Sequence, residues 1–229
     1  MQPIFPLAAV LACASLAHAS ATVQSITSSW HAFVTVDRAL SLGGGSDTAG
    51  SSASSAALNL TQPITGHAHV GPDFADINAL INLNSGPASV TARYQYNITG
   101  QIQHPVAADF GQARFDLSLD VRVFFTLDAP TDISLSAATA DAFNVCEAAV
   151  LDSSNAAVLY VGASQSDTQT LAAGSYEARF LYLGPSLYTT LSAAPLSFSG
   201  SPEFHLTLPA PHTLAIFSLA GLFRRHRPR

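Results

Sequence analysis

The chain contains no lysine, and all nine of its basic residues are arginine. Four of these, Arg224, Arg225, Arg227 and Arg229, lie in the last six residues, leaving five arginines against fifteen Asp and Glu in the rest of the chain. The body without its tail therefore carries a net charge of about −10. It has no basic patch with which to displace counterions from a phosphate backbone, which argues against nucleic acid as a partner. Charged residues of either sign are also scarce, at 10% against 48% hydrophobic. Such a chain can bury a core, but it must cover its surface with Ser, Thr, Ala, Asn and Gly rather than with ions.

Cysteine is nearly missing. Cys13 falls in an amino-terminal apolar stretch that reads as removable, so Cys146 stands alone and no intramolecular disulfide can form in the processed chain. Stability must come from packing. Within NVCEAAV, Cys146 sits among small apolar residues and reads as a buried, inert thiol, with a reactive thiol as the alternative. Catalytic signatures are missing too. No G-x-S-x-G occurs, the nearest segment being Gly162-Ala163-Ser164-Gln165-Ser166, and beside the aspartates the acids are only Glu147, Glu177 and Glu203. The body reads as non-catalytic, with an exported hydrolase as the least favoured reading.

No apolar run is long enough for an ordinary membrane span, which needs ~20 residues at ~1.5 Å each. Two shorter runs mark the ends. Residues 4–16 are apolar and lead into Ala17-His18-Ala19 and Ala19-Ser20-Ala21, small-x-small patterns suited to signal peptidase. They predict a signal peptide over residues 1–21, cleaved after Ala19 or Ala21. A lipid-attached Cys13 is the alternative, at the cost of a very short apolar core.

At the other end, residues 208–229 hold Pro209-Ala210-Pro211, an apolar run over 213–223 that contains Gly221 and is expected to form a short hydrophobic helix, and the arginine cluster. A short apolar segment followed at once by fixed positive charge enters a bilayer from one side and stalls with its basic end in the cytoplasm. The segment resembles the bacterial PEP-CTERM sorting signal, with Ala210 standing where that family usually has Glu. The resemblance covers about the last tenth of the chain. It implies an exosortase-like membrane enzyme as partner, transient membrane insertion, processing near the prolines, and delivery to the envelope surface or extracellular matrix. The alternative is a hydrophobic carboxy-terminal strand with a solvated basic tail.

Between the ends, the dominant period is two. Over residues 113–127, Ala113, Phe115, Leu117, Leu119, Val121, Val123, Phe125 and Leu127 share one face, while Asp116, Ser118, Asp120 and Arg122 share the other. Residues 90–98 and 176–182 alternate in the same way. Shorter strands are predicted at 23–36, 133–137, 145–151, 157–161, 195–198 and 204–208, separated by turns such as Asp128-Ala129-Pro130 and Asp152-Ser153-Ser154-Asn155. Many strands and no amphipathic helix of ordinary length predict one antiparallel β-sandwich over residues 22–207. The stretches FTLDAPTDISLSA, AVLDSSNAAVLYVGA and TLAAGSYEARFLY also resemble the jelly-roll-type body found upstream of such sorting signals. Within it, the Ser/Ala/Gly-rich residues 41–57 have little to bury and are expected to form a flexible loop. The triplets at Asn59 and Asn97 match glycosylation acceptors but read as incidental beside a bacterial-type tail.

Few residues suggest a ligand. His67 and His69, two apart, share a face if they lie on a strand, and Asp73 or Asp76 supplies an oxygen for a metal. Asp73, Asp76 and Asn78 are an alternative set for Ca²⁺. Trp30 is a sugar platform if exposed, though at the start of an apolar strand it reads as core. No cofactor is required. We read the chain as an exported envelope or matrix protein, with a glycan- or calcium-binding module, and hence an envelope or matrix polysaccharide partner, as the alternative.

Overall fold

A strand that buries every second side chain needs a sheet beside it and another sheet over it, and this requirement sets the architecture. A computed structural model describes residues 20–39, 44–103, 110–139, 145–184, 188–189 and 195–209. Among these residues, the first seven strands are β1 (Ala21–Ala39), β2 (Gly45–Ser55), β3 (Leu60–Val70), β4 (Asp73–Ser85), β5 (Ser89–Gln101), β6 (Phe110–Leu127) and β7 (Thr131–Ala138). The rest are β8 (Val145–Leu151), β9 (Ala157–Val161), β10 (Gln165–Leu171), β11 (Gly174–Leu183), β12 (Tyr188–Thr189), β13 (Leu196–Gly200) and β14 (Glu203–Thr207).

These strands form two antiparallel sheets that share one core. The first runs β2–β1–β6–β11–β8–β9, with β12 also on β6; the second runs β10–β7–β14–β5–β4–β3, with β13 also on β5. The long alternation read at 113–127 is the centre of the first sheet, paired along its length with β1 and over its second half with β11. Its apolar face is buried and Asp116, Ser118, Asp120 and Arg122 lie on the outer face. From the opposite sheet, Val90, Ala92, Tyr94, Tyr96 and Ile98 of β5 close the core. Phe180 stacks on Phe204 with ring centroids 5.3 Å apart, and Tyr94 meets Tyr182 edge-on at 5.9 Å. Each fully buried Phe or Ile contributes about 1.5–3 kcal/mol. Tyr182 donates its hydroxyl to that of Tyr96 at 3.1 Å.

The turn at residues 152–155 is built by Asp152. Its Oδ1 accepts from the Ser154 amide and hydroxyl and from the Ala156 amide, while Asn155 takes the left-handed conformation (φ 64°) that asparagine tolerates.

The expected loop at 41–57 is corrected by the structure. Gly45–Ser55 form strand β2, paired with β1 from Arg38↔Gly45 to Ser28↔Ser55. Main-chain hydrogen bonding does not depend on bulky side chains, and here small ones are required. At Gly50 (φ +133°), an added Cβ would lie 2.0 Å from the Ala32 carbonyl oxygen; at Gly66 of β3, one would lie 2.9 Å from the Gly50 nitrogen. Thus the edge of the first sheet comes directly against the edge of the second.

Ser20 and Ala21, inside the expected leader, belong to the fold. Ala21 is buried and opens β1, while Ser20 donates its amide and hydroxyl to the two Asp128 carboxylate oxygens, each at 2.6 Å. At the far end Leu208 is buried, with its amide bonded to the Ala88 carbonyl at 2.9 Å. The remaining signal-peptide residues and the expected sorting helix, with Ala210, Pro211, Gly221 and the four terminal arginines, lie outside the described residues. Among the described residues, no helix is long and apolar enough to cross a membrane.

Candidate functional site

Outward-facing side chains of β8, β9 and β11 border a half-open hollow of about 210 Å³, lined by Glu147, Ala149, Leu151, Tyr160, Arg179 and Leu181 among others. Because strand residues two apart share a face, Glu147, Ala149 and Leu151 form its floor beside Arg179 and Leu181 of the neighbouring strand. Tyr160 is 56% exposed, pairs in register with Ala149, and donates its hydroxyl to Glu147 at 2.9 Å. That hydrogen bond to a carboxylate, followed by the nearby negative charge, holds the Tyr160 hydroxyl above its ordinary pKa.

Arg179 connects this cavity to a row of charges. Asp120 accepts from Arg179 at 2.9 Å and from Arg122 at 3.2 Å, and Arg122 lies 3.9 Å from Glu177. The bond to Asp120 raises the Arg122 pKa. Exposed ion pairs of this kind contribute at most ~1 kcal/mol each, so the array organises the face rather than stabilising it. A second cavity, of about 450 Å³, continues past Asp120 and Arg122 to Thr27, Ser29, Ser54 and Phe124. Together they give a face with an exposed aromatic, the carboxylates of Glu147 and Asp120 and two guanidinium groups. Such groups hydrogen-bond hydroxylated ligands and stack on their apolar faces.

The residues singled out for metal binding separate into two sets. His67, His69 and Asp76 lie on the outer face of β3 and β4, where His67 and Asp76 are directly opposite and their side chains are bonded. Asp73 is fully buried on the inner face. Its Oδ2 lies 3.1 Å from Arg38 Nη1, and its Oδ1 accepts from the Gln103 amide at 2.7 Å. Asp73 therefore does not join Asp76, three residues on and facing the other way, so the set of Asp73, Asp76 and Asn78 is not assembled. Among the described residues, no three His, Cys, Asp or Glu side chains gather as metal ligands.

Trp30 is buried, so it serves the core rather than a sugar platform. Cys146 is buried too, and burial followed by the neighbouring Glu147 pushes its thiol up to about 11. Ser164 takes a left-handed turn conformation (φ 56°), with its hydroxyl donated to the Thr139 carbonyl at 2.9 Å. Tyr160 was missed in sequence, because nothing local distinguishes an outward tyrosine on a five-residue strand from an inward one.

No family model matches the chain, and no curated protein matches it. A structure of the infectious bursal disease virus Gx strain is 10% identical and matches over 82% of this chain and 57% of that one, at a TM-score of 0.17. A Gt strain structure is 7% identical over 88% of this chain and 67% of that one, also at 0.17. The chain thus spans just over half of the first structure's chain, and overlap at this level identifies no shared fold.

Proposed function

We propose that the chain is an exported, non-catalytic protein of the cell envelope or extracellular matrix, carried there by its termini and acting through a jelly-roll-like β-sandwich. The observation that carries this reading is the order of parts at the carboxy end. The last buried side chain among the described residues, Leu208, is followed in sequence by Pro209-Ala210-Pro211, the short apolar run and the arginine cluster. Processing near the prolines would leave every described strand whole, because the last of them ends at Thr207.

The amino end fits the same reading. Cleavage after Ala19 leaves Ser20 as the first residue, with its nitrogen already 2.6 Å from Asp128, and converts that amide into an ammonium paired with a carboxylate. Cleavage after Ala21 discards both Ser20 bonds and a buried core residue. Mass spectrometry of cell-associated and released protein tests both ends. A mature form beginning at Ser20 and ending before Thr213 supports the proposal, whereas secreted material ending intact at Arg229 rejects the sorting step.

Within this role, a second reading is glycan recognition on the outer face of the first sheet. It is favoured by the exposed Tyr160 bonded to Glu147 beside Arg179.

A further inference from the structure

We propose that His67 and His69 form an open, two-imidazole surface site for a divalent transition ion of the zinc and copper class. Both lie on the outer face of β3, on either side of the buried Ala68, and their side chains are 60% and 63% exposed. Their rings stack with centroids 5.4 Å apart and planes inclined by 25°. One ion with Zn–N distances of ~2.0–2.1 Å bridges nitrogens up to ~4 Å apart, a span that small side-chain rotations at an exposed strand face supply.

Each imidazole also has its own carboxylate. His67 Nδ1 is bonded to Oδ1 of Asp76, the residue opposite it on β4. His69 Nδ1 lies 3.8 Å from Oδ2 of Asp47 on β2, and that same oxygen accepts from the His69 backbone amide at 2.9 Å. A carboxylate hydrogen-bonded to Nδ1 leaves Nε2 facing outward for a metal, the second-layer arrangement that orients metal-binding histidines. At His67 this bond is made by Asp76, whereas the Asp47 carboxylate, 3.8 Å from His69 Nδ1, lies beyond hydrogen-bond distance and instead anchors the His69 backbone amide.

Asp76 is therefore the positioning residue, and the two Nε2 atoms are the protein ligands. The remaining coordination positions stay open to water or to a donor from another molecule, unlike a closed structural zinc site. Imidazole suits copper and zinc, and for a given nitrogen site copper(II) binds more tightly than zinc.

The test is calorimetric titration of the full chain with Zn²⁺ and with Cu²⁺, together with electron paramagnetic resonance of the copper form to count coordinated nitrogens. We expect one site whose affinity falls at least tenfold in either His67→Ala or His69→Ala. Its two-nitrogen signature should disappear in the double variant and persist in His31→Ala/His205→Ala. Asp76→Asn should weaken binding severalfold while retaining both nitrogens, which separates positioning from ligation. Absence of binding at micromolar metal, or a double variant that binds as tightly as the parent, overturns the proposal. Thermal unfolding of each variant, expected to be unchanged at such exposed positions, keeps loss of the site distinct from loss of the fold.

Discussion

The Arg38 guanidinium lies 3.1 Å from the Asp73 carboxylate, with 3% and 0% of the two side chains exposed, so an arginine from the end of β1 neutralises an aspartate from the start of β4 in the interior. The pair joins the two sheets at one end of the sandwich, and the Gln103 amide donates to the carboxylate's other oxygen. Removing one buried partner strands the other charge, which typically costs ~3–5 kcal/mol. Arg38→Met should lower unfolding stability by about that much in urea titration. Arg38→Met/Asp73→Asn, which leaves no uncompensated charge and keeps an acceptor for Gln103, should recover a large part of it. A double variant no more stable than the single one would contradict this account.

Gly50 is the position where β2 is least tolerant. Its φ of +133° and the Ala32 carbonyl 2.0 Å from an added Cβ mean that Gly50→Ala must move backbone, at a cost of at least about 1–3 kcal/mol. Amide exchange along residues 28–38 of β1 should then accelerate, because their pairing with β2 is lost. Gly86→Ala, where the nearest atom is 3.7 Å away, serves as the neutral comparison.

Alkaline pH should weaken the fold. The Cys146 thiol loses its proton near 9 when unfolded and at about 11 when folded. Between these values the unfolded chain binds fewer protons, so stability is full below 9 and declines as pH rises. Burial raises the Tyr94 hydroxyl above its ordinary value of 10, extending the decline to higher pH with the same sign. Denaturant midpoints measured from pH 8 to 11 should fall steadily, and Cys146→Ala should flatten the early part of the curve. At pH 7 the thiol should react with disulfide reagents only as fast as the protein opens.

Glycan recognition, if it occurs on the first sheet, should depend on Tyr160. Tyr160→Ala removes an exposed ring and the Glu147 bond, so retention on immobilised matrix polysaccharide should drop severalfold while the melting temperature stays within about a degree or two, as for surface substitutions in general. Equal retention of parent and variant would exclude this face as the binding surface.

Much of this architecture was legible in sequence where burial is one-sided and regular. The alternation from Ala113 to Leu127 maps residue for residue onto inner and outer faces, and the turn at Asp152 follows from side-chain chemistry alone. The β4 pattern of Ala75, Ile77, Ala79, Ile81 and Leu83 carried the same signal but was hidden by small alanines and by an Asp73 that resembles a turn residue. What could not be read locally was pairing. β2 becomes a strand because β1 offers a complete edge, Asp73 turns inward because Arg38 is there to receive it, and His67 meets Asp76 only through the β3/β4 register. Of the expected metal set, His67 stacks on His69 and bonds Asp76 without the three forming a ligand cluster, and Asp73 faces the core.

The abutment of β2 with β3 has a bearing on behaviour at high concentration. Exposed amide rows invite neighbouring molecules to add strand upon strand, the usual beginning of fibrous precipitation. Where β2 and β3 abut, near Gly50 and Gly66, the border of one layer is pressed against the border of the other, so on that flank an incoming chain is denied a template. A protein closed off in this manner can be crowded together without polymerising along that side, and its encounters are directed instead to its broad polar faces.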